Sequence, residues 1–280
     1  MAPATRRRCL LEVEGDLYEV DLADAHDLAI PLCFSPGCPQ PGAFWLDAAS
    51  SKPVEVDGFV GSVEEGGPVN CFQVTFWPHG NGTHTETVGH ITSPPPPVGE
   101  RLGAALIPAT LVTIPLVSLE EGGESYPWRG MPEDSVVTRA ALERCSLTRG
   151  FGEALILRTS PNGADKKNAT YSGQNPAYLT SEAMAWVREQ GVEHLLVDLP
   201  SVDREEDDGI LANHRTFWGV PRGSKDPSQV EGPWRTITEM IYVPEALADG
   251  RYLLSLQIPH FVLDAAPSRP LIYAASFVRS

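Results

Sequence analysis

Through the first hundred residues the apolar positions fall in short runs separated by Gly/Pro pairs. Cys9 to Val13, Val54 to Val60 and Val69 to Trp77 read as strands, with turns at Ser35-Pro36-Gly37 and Pro41-Gly42. Pro94 to Pro97 predict a stiff polyproline II segment, and Leu111 to Val117 a buried strand. The rhythm then changes. Ser135 to Arg144 has helical spacing, and Ala154 to Arg158 reads as a strand. A helix opens after Thr180 as its N-cap, carries Ala183, Met184, Trp186 and Val187 on one side, and stops at Gly191. His194 to Leu199 follows as a short buried strand, completing a strand–helix–strand crossover. A second helix is predicted from Glu205–Asp208 through Trp218, ending near Gly219. The tail returns to strands at Arg251 to Ile258, His260 to Leu263 and Leu271 to Phe277. These elements predict one mixed α/β domain over residues 1–280 with a β-rich face.

The candidate chemistry sits where a strand pattern breaks. Gln73 to Trp77 run into His79-Gly80-Asn81-Gly82-Thr83-His84-Thr85-Glu86-Thr87-Val88-Gly89-His90, which holds three of the seven histidines and one carboxylate. His84 and Glu86 are two apart, so an extended backbone points both to one side, and His90 follows at another even step. Imidazole and carboxylate on one face suit Zn²⁺ or Mn²⁺. Any one of these histidines alone reads as part of a polar loop; the cluster favours a metal. Further along, His214 on an apolar helix side reads as a core histidine, and Glu239 as a strand-end carboxylate.

Composition narrows the partners. With 42% hydrophobic and 21% charged residues the chain can bury a full core, and a net charge of −16 argues against nucleic acid and anionic membranes. Arg6-Arg7-Arg8 reads as a solvated tail. No apolar stretch is long enough to span a bilayer, so the expected location is cytoplasmic. Cys9, Cys33, Cys38, Cys71 and Cys145 form an odd, scattered set read as reduced thiols, with Cys71 packed in a strand. GxSxG, phosphate-loop and dinucleotide fingerprints are missing.

Taken together, these motifs resemble the metal-dependent cyclase/hydrolase family that includes bacterial kynurenine formamidase and isatin hydrolase. The family's HxGTHxDxxxH motif is matched from Gly82 to His90. Its second region resembles Leu196-Val197-Asp198-Leu199-Pro200-Ser201-Val202-Asp203 together with His214 to Trp218, and Glu239 would supply a strand-borne ligand. Two positions depart: the opening histidine falls on Gly80, with His79 one place away, and the aspartate is Glu86. A one-residue shift in a strand would turn His79 to the opposite face. Residues 222–233 look like an inserted loop.

The resemblance implies the swivelling β/β/α fold of the cyclase type, and a homo-oligomer. It implies one or two divalent ions, Zn or Mn, held by His84, Glu86, His214 and Glu239, with His79 a further candidate. His90 would be the acid–base group rather than a ligand, its alternative being support of His84 or Glu86. The implied activity is hydrolysis of a formamide, amide, lactam or lactone in a small molecule. Phe44 and Trp45, in a Gly/Pro-bounded loop, read either as a stacking surface for an aromatic substrate or as ordinary packing. The alternative is a metal-containing binding protein without turnover.

Overall fold

The computed structural model describes residues 7–104, 106–145 and 147–278. Ten strands give the main sheet its path: β1 (Arg8–Val13), β2 (Asp16–Asp21), β3 (His84–Glu86), β4 (Ile107–Pro115), β5 (Ala154–Ser160), β6 (His194–Val197), β7 (Thr236–Glu239), β8 (Gly250–Ser255), β9 (Ala265–Pro267) and β10 (Leu271–Phe277). In space they lie in the order β1-β2-β10-β8-β4-β5-β6-β7-β3-β9, and an eleventh short strand, His26–Asp27, joins β10. The four strands β4 to β7 run parallel, and antiparallel strands extend the sheet on both sides.

The central parallel strands β5 and β6 carry apolar residues on both faces because both are covered. Leu155, Leu157, Leu195 and Val197 pack into one core with the helices α1 (Ser181–Glu189) and α2 (Ala212–Trp218). Ala154, Ile156 and Leu196 alternate with them and pack into a second core with Leu111, Tyr252 and Ile272 on the other face. The predicted β5–α1–β6 crossover is present, with β5 and β6 parallel. Thr180 caps α1, its hydroxyl accepting from the Ala183 N–H at 3.1 Å. Thr180 is fully buried, so Thr180→Ala should cost about 1 kcal/mol or more of stability; urea unfolding monitored by circular dichroism checks this.

Several expected elements differ, each for a local reason. Val54 to Val60 is a tight hairpin, because Asp57 and Gly58 take positive φ at the two turn positions. Ser135 to Val137 is a strand between Val117–Ser118 and Tyr178–Leu179, and only Arg139–Leu142 makes a helical turn. Residues 205–211 are not helical: the Asp207 carboxylate accepts from the Gly209 and Leu211 N–H groups, Leu211 has φ 49°, and α2 begins at Ala212. His260 to Leu263 forms no strand. Its carbonyls at Phe261 and Leu263 receive the Gly99 and Val98 N–H groups instead.

Arg8 belongs to β1 and pairs with Glu19, whereas Arg6 lies outside the described residues. Cys33 and Cys38 form a disulfide across a short turn, which corrects the expectation of reduced thiols throughout and removes the cysteines as support for a cytoplasmic location. Cys71 is exposed rather than packed. Among the described residues no helix is long and apolar enough to cross a membrane.

Candidate metal centre

Strand β3 is the hub. It lies between β7 and β9, and its register sets His84 opposite Glu239 and Glu86 opposite Ala265. Thr85 points to the other side, where its hydroxyl meets that of Thr238 at 2.8 Å. The period-two alternation therefore delivers His84 and Glu86 to one face, and β7 brings Glu239 beside them. His84 Nε2 lies 3.4 Å from Glu239 Oε2. The other ring nitrogen, Nδ1, bonds the Gly82 carbonyl at 2.9 Å, which leaves Nε2 with its lone pair.

His214 comes from the first turn of α2. Its Nδ1 meets Asp203 Oδ2 at 2.6 Å, and its Nε2 lies 2.9 Å from Glu86 Oε1 and 3.7 Å from Glu239 Oε1. Asp203 is itself held by the Asn213 N–H and the Tyr126 hydroxyl. Glu239 is oriented by the Val202 N–H at 3.0 Å. Ser201 serves the same turn, its hydroxyl accepting from the Asp203 N–H.

His79 reaches the cluster despite the one-residue shift. The chain bends ahead of β3, with Gly82 at φ 149°, and at Gly80 a Cβ would come within 2.6 Å of Leu46. No strand register governs His79. Its Nδ1 lies 3.2 Å from Glu86 Oε2, and its Nε2 bonds Asp264 at 2.9 Å. His90 closes the group from a short 3₁₀ turn, Val88–His90, capped by Thr87. Its ring centroid is 4.3 Å from that of His79, and its Nδ1 is 3.5 Å from Asp264 Oδ2. His84, Glu86, His214 and Glu239 are buried, whereas the His90 side chain is 28% exposed and borders the cavity. That cavity, of about 360 Å³, is also lined by Phe44, Leu46, Arg204 and Leu211. Trp45 is largely exposed and does not line it.

These residues fit a divalent ion. His84 Nε2 and both Glu86 oxygens are buried yet take part in no hydrogen bond, even though imidazole nitrogens lie within 2.9–3.4 Å of carboxylate oxygens across the cluster. Buried polar atoms this close, but misaligned for hydrogen bonding, are the arrangement a shared cation requires. His79, His84 and Glu86 bring ligand atoms together, as do Glu86, His90 and His214. Without an ion, protons balance the charge. Burial opposes a charged His79, but its hydrogen bond to Asp264 and the nearby Glu86 carboxylate lift it to about 10. His214 is likewise raised, against burial, by Glu86 and Asp203. Glu86 is held well below the carboxylate range, burial being outweighed by the charges of His90 and His214.

The cyclase family model, described as "Putative cyclase", matches residues 20–204. The chain belongs to the cyclase family. No curated protein matches it. Solved structures share the fold of this chain across most of its length. A novel cyclase is 16% identical with a TM-score of 0.58, covering 90% of this chain and 89% of its own. An isatin hydrolase bound to the product analogue thioisatinate is 12% identical with a TM-score of 0.57, covering 90% and 92%. A potential metal-dependent hydrolase with cyclase activity is 12% identical with a TM-score of 0.55, covering 90% and 98%. The mixed, sheet-rich fold expected from the sequence is the one observed.

Two parts of the site had no sequence signal. Asp264 stands just before β9 in an ordinary Phe261-Val262-Leu263-Asp264 run, 185 residues from the histidine it bonds. Tyr126, which supports Asp203, lies in a Gly/Pro-flanked loop whose place the pattern does not give.

Proposed function

We propose that this cyclase-family protein is a metal-dependent hydrolase of a small formamide, amide, lactam or lactone. The observation that carries it is the convergence of an unsatisfied His84 Nε2 and Glu86 carboxylate with His214, Glu239 and His79. Those five residues would hold one or two divalent ions, Zn or Mn. When bound, such an ion supplies Lewis acidity, which polarises a carbonyl and strengthens water as an acid.

The rest falls to the chain. His90, at the cavity wall, takes a proton from the attacking water as the water oxygen bonds to the carbonyl carbon. It then hands that proton to the leaving nitrogen as the C–N bond breaks, giving a carboxylic acid and an amine. Asp264, held below the carboxylate range by its bonds with His79 and His90, orients both rings. Phe44 and Leu46 offer an apolar wall to an aromatic substrate. The isatin hydrolase neighbour, seen with an aromatic product analogue, supports that choice. We further read residues 222–233 as an insertion in a single domain, and the protein as a homo-oligomer.

The test is metal content by elemental analysis together with hydrolysis of formanilides, isatin-like lactams and aryl lactones, before and after chelation. Turnover that is lost on chelation and restored by Zn²⁺ or Mn²⁺ is expected. A metal-loaded protein inert across the panel would overturn the reading.

Loading is expected to depend on pH. The metal-free His79 is protonated below about 10, so an ion bound there must displace that proton. Apparent affinity should therefore rise with pH between 6 and 9, by about tenfold per unit for each proton released. Calorimetry in buffers of different ionisation enthalpy measures the release; a pH-independent affinity would remove His79 from the ligands.

A further inference from the structure

A second cavity, of about 300 Å³, adjoins the metal cavity and shares His90, Gly209 and Leu211 with it. Its far wall carries Arg215 and Lys225. Carboxylates outnumber cationic side chains in this chain by 37 to 21, yet neither of these two pairs with a carboxylate among the described residues. Arg215 donates only to main-chain carbonyls, of Ile210, Pro221 and Ser224. The neighbouring Asp226 side chain turns away to accept from the Ser228 N–H. Lys225 is tied to the cavity wall by its carbonyl, which accepts from the Ser93 N–H at 2.8 Å. The segment 222–233 therefore delivers a cation to a place beside His90, and no carboxylate among the described residues pairs with it.

We propose that Arg215 and Lys225 form an anion subsite for a carboxylate on the leaving-group half of the substrate. The proposal deepens the hydrolase reading and rests on it for the identity of that half. His90 borders both cavities, so a scissile bond at the metal cluster puts the departing amine at His90 and its substituent beyond. A carboxylate there gains two cations in a cavity that Glu86, Glu239 and Asp264 do not line. The substrate class is an N-acyl aminobenzoate or a comparable aryl amide with an acid group on the amine side. Hydrolysis adds water across the C–N bond and leaves the second carboxylate untouched.

Kinetics of 2-formamidobenzoate and formanilide on wild type and Lys225→Met test it. Lys225 is exposed and makes no side-chain bond that the fold uses, so the variant keeps the structure; Arg215→Ala would also release the 221–224 turn. The expected result is an increase of about tenfold in KM for the acid, with kcat nearly constant and formanilide unaffected. Equal kinetics in the two proteins would overturn the subsite. If wild type hydrolyses neither compound, calorimetric binding of 2-aminobenzoate and aniline decides. Acid-selective binding lost in Lys225→Met keeps the subsite while the hydrolase reading falls. Binding that ignores the acid group or the substitution removes the subsite.

Discussion

A His84→Ala variant is expected to retain under about a tenth of the wild-type metal and to show no measurable hydrolysis, since removing a direct ligand costs more than the 10–100-fold typical of its supporting residues. The reason lies in the geometry of β3. His84 Nε2 is the buried lone pair left when Nδ1 bonds Gly82, and no hydrogen-bond partner among the described residues takes it up. Alanine would also leave the buried Glu86 and Glu239 carboxylates with one fewer imidazole beside them. His214→Ala should behave the same way and additionally strip Asp203 of its imidazole partner. Elemental analysis after exhaustive dialysis, with circular dichroism to confirm the fold, measures both. Wild-type metal content in either variant would sink the site as described.

Removing His90 should separate chemistry from metal binding. His90→Ala is expected to keep its ions and fold while losing on the order of 10²–10⁴ in kcat, the worth of a positioned acid–base group. His90 is 28% exposed, its Nδ1 is 3.8 Å from Glu86, and its ring faces the cavity, so it is placed to exchange protons with a substrate. The loss should be largest for substrates with poor leaving groups, such as anilides, and smaller for aryl lactones, whose phenolates leave without full protonation. A uniform loss accompanied by loss of metal would make His90 a ligand instead. Full activity in the variant would end the acid–base assignment.

How much of this was readable in the chain follows from the range of the forces involved. Side-chain alternation along an extended backbone is local, so His84 and Glu86 could be set on one face from their spacing alone. Capping is local too, and Thr180 announced the start of α1. The apolar runs at β5 and β6 marked buried parallel strands, because only strands covered on both faces lack polar alternation. Where side chains compete with the backbone, periodicity misled. The Asp207 carboxylate holds residues 207–211 out of the helix that their spacing suggested.

The sequence by itself therefore determined the cluster of ligand types, the crossover at the centre of the sheet and the acidic character of the whole. Tertiary structure alone decided which of those candidate ligands meet. The β3–β7 register brings Glu239 to His84, and the bend before β3 returns His79 to a site that a straight strand would have denied it. Asp264 enters from the far end of the chain through β9, and Lys225 comes to the wall beside His90 through one main-chain hydrogen bond. Contacts of this kind depend on how distant segments pack, and no local pattern of polar and apolar residues carries that information.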